Sequence, residues 1–127
     1  AGAARDQLER LDDTFRLANI ADTQARIALA RGDLATAEHA ASDAARLAES
    51  VSNTKGAVDA LLTVARAARR QGRTADAVAA LGRAESLAAG APPARLRQVL
   101  TEWSEIAAEA GDHAAAYELT RRALALG

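Results

Sequence analysis

Small and apolar residues recur along the chain at intervals of 39 or 40 residues, in register with three glycines, Gly32, Gly72 and Gly111. The fifth and twelfth residues after each glycine are alanines, and the fifteenth is a leucine. These nine positions are Ala37, Ala77, Ala116, Ala44, Ala84, Ala123, Leu47, Leu87 and Leu126. The residues seven and four positions before each glycine are also small. This self-similarity predicts a repeat architecture with three units.

Each unit is predicted to form two helices. Glycine takes the left-handed backbone conformation without a Cβ penalty, so each of the three glycines should end the first helix of its unit. Asp33, Asp112 and Thr74 lie one or two residues after their glycines and are expected to cap the second helices. The pattern predicts helices at about 14–31, 33–49, 54–71, 74–89, 94–110 and 112–126.

The starts of the first helices also recur. Asp12, Asp13 and Thr14 form a cluster of N-cap residue types 40 positions before a similar cluster at 52–54, and the third unit opens with two prolines, which a first helical turn tolerates. Residues 1–11 are then interpreted as the tail of a preceding helix. Connections this short force neighbouring helices to be antiparallel, and small residues let their backbones approach closely. We therefore expect one all-α domain over residues 1–127, a solenoid of three helical hairpins (about 14–50, 54–90 and 94–127) with an N-terminal helical tail.

These residues resemble the tetratricopeptide repeat, whose pattern is a small residue in the first helix, a glycine at the turn and alanines five and twelve residues later. The resemblance covers residues 14–127 and implies a right-handed superhelix. The units differ from that family in their length of 39 to 40 residues, where 34 is usual. They also carry alanine (Ala28, Ala68 and Ala107) four residues before the glycine, where the family usually has an aromatic residue. The longer unit looks like the C-terminal repeat domains of bacterial helix-turn-helix transcription regulators, which implies a ligand-sensing or partner-binding role.

Composition narrows the possible functions. Alanine accounts for 37 of 127 residues, and the net charge is only −1, so the chain favours packed helices over disorder and has little electrostatic attraction for nucleic acid. The chain has no cysteine and two histidines, which excludes disulfides, thiol nucleophiles and the common zinc sites. With no leader and no apolar run long enough to span a membrane, a cytoplasmic location is expected.

No arrangement of residues indicates catalysis. Asp12 and Asp13 are adjacent carboxylates but are predicted to begin a helix, and His39 and His113 occur singly. Trp103, Phe15 and Tyr117 are interpreted as packing residues. We expect no enzymatic activity, no cofactor and no metal.

The resemblance implies a concave groove lined by the first helices of successive units. The residues that register places there are Asn19, Asp22, Thr23, Arg26, Asp59, Leu62, Thr63, Arg66, Gln98, Thr101, Glu102 and Glu105. Spacings of three and four residues put each set on one helix face. Polar side chains with both donors and acceptors suit an extended peptide, and Arg26 and Arg66 could hold a peptide carboxylate. A peptide or protein partner is therefore expected in this groove.

Two alternatives remain open. The polar residues predicted for the groove are also what a solvated helix face would carry. The last helix, with Leu119, Leu124 and Leu126, lacks the polar outer face that ends a repeat array, so a homodimer through this helix is the second functional hypothesis.

Overall fold

A computed structural model describes residues 2–126 of the chain, which form six α-helices and no β-strand. The helices are α1 (Gly2–Ala30), α2 (Leu34–Ser50), α3 (Thr54–Arg70), α4 (Thr74–Ala88), α5 (Pro93–Glu109) and α6 (His113–Ala125). Consecutive helices pack against each other, and α3 also contacts both α1 and α5. The all-α prediction is confirmed, and the bounds of α2 to α6 agree with the predicted ones to within one residue. Residues 1 and 127, the ends of the predicted tail and last repeat, lie outside the described part.

The predicted start of α1 at residue 14 is wrong, because α1 runs without interruption from Gly2 and includes the segment predicted to be a separate tail. Asp12 and Asp13 are exposed residues in the middle of this helix rather than caps at its start. The Thr14 hydroxyl donates to the carbonyl oxygen of Arg10 (2.9 Å), as hydroxyls inside helices often do. No glycine or proline interrupts this stretch, so the helix continues through it.

The three register glycines end α1, α3 and α5 as predicted. At Gly72, whose φ is 78°, the Gly72 amide donates to Arg69 and the Arg73 amide donates to Ala68, both at 2.9 Å. This left-handed closing motif satisfies carbonyls at the end of the helix that would otherwise lack partners. Ser52, with a φ of 57°, ends α2 in the same way without being a glycine.

The predicted helix caps are confirmed in part. The side chain of Asp112 accepts a hydrogen bond from the Ala115 amide (3.1 Å), and Asn53 accepts one from the Gly56 amide (3.1 Å). Asp33 occupies the N-cap position of α2, but its side chain makes no capping bond. Thr74 is already helical, since Arg73 is the N-cap residue of α4, so its predicted capping role is wrong.

The core consists mostly of alanine and divides into two main clusters. The larger spans α1 to α5 around Val58, Leu62 and Leu81, and the smaller lies between α5 and α6 around Leu100 and Leu119. Leu96 and Trp103 pack against both clusters, which confirms the packing role predicted for the tryptophan.

Three hydrophobic residues lie differently from the prediction. Leu119 faces into the α5–α6 hairpin and is buried, so it is not part of an exposed surface for a second copy. Phe15 and Tyr117, expected to pack, are both exposed, Tyr117 more so. Among residues 2–126, no helix has the length and apolar character needed to cross a bilayer.

Candidate functional site

A polar cavity of about 320 Å³ lies where α1, α3 and α5 run side by side, and we call it the groove cavity. Its lining residues are Asp22, Arg26, Asp59, Leu62, Thr63, Arg66, Arg95 and Gln98. All of these except Arg95 belong to the predicted set. The repeat register therefore brought residues from three separate helices to one place, although their side chains interact in ways that the register did not show.

The arginines of the groove cavity already face acids of the same chain. Arg66 donates from Nε (3.1 Å) and Nη2 (2.6 Å) to Oε1 of Glu102, which joins α3 to α5. Arg26 pairs with Asp22 along α1, with Nε and Oδ2 3.4 Å apart. A peptide carboxylate could bind Arg66 only by competing with Glu102. The two arginines predicted to hold a peptide carboxylate are therefore already paired with acids of the same chain.

Arg95 completes this set of ion pairs and was missed by the sequence analysis. Its Nη1 donates to Asp59 Oδ1 (3.1 Å) and to Gln98 Oε1 (3.2 Å). Arg95 lies three residues before Gln98 on α5, so the same spacing that grouped the predicted residues could have identified it. With this contact, both acids on the α3–α5 side are paired.

Leu62 and Thr63 form the floor of the groove cavity. Both side chains are almost completely buried, and the Thr63 hydroxyl donates to the carbonyl oxygen of Asp59 (3.3 Å). They can shape the cavity, but they offer a ligand little surface. Thr23, the register equivalent of Thr63 on α1, is exposed.

A second cavity, of about 280 Å³, adjoins the first and shares Asp22 and Asp59 with it. We call it the loop cavity because it reaches the α2–α3 connection. It is lined by Phe15, Ala18, Asn19, Asp22, Ala44, Ala48, Asn53, Lys55, Gly56 and Asp59. Of the predicted residues it adds Asn19. Phe15 was not predicted here, but it precedes Asn19 by four residues and Asp22 by seven, which places it on the same helix face.

Asp22 is the carboxylate common to both cavities whose hydrogen bonding is incomplete. Its Oδ1 atom is enclosed and has no hydrogen-bond partner within residues 2–126. Burial raises the pKa of Asp22 above its usual value, Arg26 opposes this shift, and the neighbouring charge of Asp59 adds to it. Because an unpaired buried acceptor is costly, a shift of the partly exposed Asp22 side chain that brought this oxygen to a ligand's donor group would be stabilised.

Thr101 and Glu105, also predicted for the groove, line a different cavity. It measures about 370 Å³ and lies between α5 and α6, together with Arg97, Ser104, Thr120, Ala123 and Leu124. The predicted residues therefore divide between the groove side and the α6 side of α5. Glu102 stays with the groove through its contact with Arg66.

The part of the chain that the structure describes holds no group of three acidic, histidine or cysteine side chains placed to bind a metal ion. The grouped residues offer ion pairs and hydrogen bonds, which suit non-covalent recognition. No family model, curated protein or solved structure matches the chain.

Proposed function

We propose that this chain is a tetratricopeptide-like helical repeat domain that binds an extended peptide or protein segment along α1, α3 and α5. The observation that carries the proposal is the pair of adjoining cavities that share Asp22 and Asp59. Together they make a continuous surface that crosses all three helices. Such a surface fits a chain lying across the helices better than a compact small molecule.

The helix contacts support a concave arrangement of this surface. α3 contacts α1 and α5, whereas within residues 2–126 α2, α4 and α6 have no comparable contacts with one another. A stack in which one set of helices lies closer together than the other bends toward the closer set. This favours a curved solenoid with α1, α3 and α5 on the inner side, and the right-handed superhelix remains what the resemblance implies.

The size of the surface limits the length of the ligand. Helices pack roughly 10 Å apart, so three of them span roughly 20 Å between the outer axes. An extended peptide of about six residues covers that distance. Asn19 and Gln98 lie near the two ends and can each donate to a carbonyl and accept from an amide of the peptide.

Within this surface, Asp22 is the residue on which recognition depends most. The cavity arginines have acids of their own, while Asp22 has an acceptor oxygen without a partner. We therefore expect a ligand that brings a donor to Asp22, such as an amide, an amino group or a basic side chain. The long units of 39 to 40 residues, which resemble the repeat domains of bacterial helix-turn-helix regulators, favour a role as the partner-binding part of a bacterial cytoplasmic transcription regulator.

The test is to measure binding of a fluorescent hexapeptide library to the protein by polarisation, with Asp22→Asn as the test variant. This substitution keeps the shape but removes the charge, and loss of a charge-assisted hydrogen bond should weaken binding about tenfold or more. Asp12→Ala is the matched control, because Asp12 is exposed on the same helix and lines neither cavity. Equal binding by wild type and Asp22→Asn, or no binding by any member of the library, would contradict the proposal.

A further inference from the structure

The side of α1 that faces away from the groove carries large aliphatic residues in contact with solvent. We call Leu17, Ile20, Gln24 and Ile27 the outer face of α1. Leu17 is 54% exposed, Ile20 51% and Ile27 47%. Ile20 and Asp22 point about 160° apart, since each residue turns the helix by about 100°. The outer face is therefore separate from the proposed peptide groove.

The repeat register shows what covers this face in the other two units. The positions of Leu17, Ile20 and Ile27, counted back from the glycine of their unit, correspond to Ala57, Ala60 and Ala67 in α3 and to Leu96, Val99 and Ile106 in α5. The three α3 residues are 0% exposed, and Val99 and Ile106 are buried as well. In those units the preceding hairpin packs over the face, as Ala37 of α2 does on Ala67.

α1 thus presents the kind of surface that a helix covers elsewhere in the same molecule, and within residues 2–126 no helix covers it. Its side chains are also larger than those at the matching positions of α3. Leu17, Ile20 and Ile27, each about half exposed, form one apolar stripe that is available for an interaction. The expected occupant is therefore another helix with an apolar stripe.

Charges at the two ends of the stripe indicate which helix fits. Asp13 lies four residues before Leu17 and also pairs with Arg16 of its own helix (Nη2 to Oδ1, 2.6 Å). Arg31 lies four residues after Ile27, and both Asp13 and Arg31 are exposed. If a second α1 packs antiparallel about residue 22, Leu17 faces Ile27, and Asp13 faces Arg31 at both ends. A parallel pair would instead place Asp13 against Asp13. The outer face is thus complementary to itself in one orientation.

We propose that the outer face of α1 binds the same face of a second copy of this chain in an antiparallel, two-fold α1·α1 pair. Such an isologous contact uses one surface twice and closes at two copies. A single helix pair buries an area at the low end for specific interfaces, so a weak dimer is expected. The proposed dimer leaves the peptide groove of each copy accessible.

The first test is sedimentation velocity of the protein over a range of concentrations. Wild type should show a monomer–dimer equilibrium, and Ile20→Lys should raise the dissociation constant at least about tenfold by burying an unpaired charge. Leu124→Lys is the matched control, since Leu124 is 76% exposed on α6 and lies outside the proposed contact. A strictly monomeric wild type would overturn the proposal. Assembly that is lost in Leu124→Lys would also overturn it, because it would indicate a contact through α6.

A charge exchange tests the orientation. Asp13→Arg and Arg31→Asp should each weaken the dimer several-fold, because like charges then meet at both ends. The double variant Asp13→Arg/Arg31→Asp should restore the dissociation constant to within about twofold of wild type. Circular dichroism of each variant checks that the fold is kept, as expected for exposed positions. A double variant as weak as the single ones would overturn the antiparallel arrangement.

Discussion

Gly72→Ala and Gly82→Ala make the same chemical change at two places. We expect Gly72→Ala to lower the free energy of unfolding and Gly82→Ala to raise it. Gly72 holds a φ of 78°, and a Cβ added there would meet nothing within 4 Å. The cost of Gly72→Ala is therefore that of the left-handed backbone alone, about 1–2 kcal/mol. Reduced freedom of the unfolded chain offsets about 0.4–1 kcal/mol of this. A net loss of about 1 kcal/mol results.

Gly82 lies inside α4, where a Cβ would also meet open space. Here alanine is the better helix former, and Gly82→Ala should gain about 1 kcal/mol. The two variants should then differ by about 2 kcal/mol, which separates their urea midpoints by roughly 1 M at the m-values of small domains. Far-ultraviolet circular dichroism during urea unfolding measures both midpoints.

Ser52 offers a reciprocal check, because it adopts a φ of 57° at the end of α2 without being a glycine. Ser52→Gly should raise the midpoint by relieving the same backbone cost. Two results would refute the reasoning that the left-handed backbone conformation sets the stability of these turns. One is a shift of the midpoint in the same direction by Gly72→Ala and Gly82→Ala, and the other is a lower midpoint for Ser52→Gly.

Three further predictions concern the core, the site and the ion pairs. Leu81 is completely buried, so Leu81→Ala should lower the free energy of unfolding in urea by roughly 2–5 kcal/mol. Leu124 is exposed, so Leu124→Ala should change it by less than about 0.5 kcal/mol. Burial raises the pKa of Asp22, so its charged form opposes folding at neutral pH, and this opposition fades as the pH falls through the raised pKa. Asp22→Asn should therefore be more stable than wild type at neutral pH, with a difference that shrinks in acid; parallel pH profiles would count against it. A double-mutant cycle on the Glu49–Arg83 pair between α2 and α4 should give a coupling of about 0.2–1 kcal/mol that falls as salt is added.

The helix bounds could be predicted from the sequence wherever a residue type marks a boundary. Gly32, Gly72 and Gly111 mark the ends of α1, α3 and α5, because only glycine takes the closing conformation freely. The start of α1 could not be predicted in this way. Residues of N-cap type at 12–14 are equally able to lie within a helix, and Leu8, Leu11 and Phe15 continue one helical stripe across them.

The candidate site could be predicted as a set of positions but not as a set of contacts. The repeat register predicted Asp22, Arg66 and Glu102 as groove residues, because repeats place equivalent positions on equivalent helix faces. It could not show that Arg66 reaches across to Glu102, since that depends on the spacing and tilt of α3 and α5. Long arginine side chains form ion pairs between other helices as well. Arg83 of α4 pairs with Glu49 of α2, and Arg122 of α6 pairs with Glu85 of α4. These ion pairs link helices of neighbouring units.

The division of the core into two clusters has a consequence for how the molecule loses its structure. The contact between α4 and α5 is smaller than that between any other consecutive helices, and Leu96 and Trp103 are the partly buried residues that pack against both clusters. We therefore expect the α5–α6 hairpin to detach as a cooperative unit while α1 to α4 stay folded. Amide hydrogen exchange should then be faster in α5 and α6 than in α3. Trp103, the protein's single tryptophan, sits at this joint, so its fluorescence would report the detachment before the bulk of the helical signal is lost.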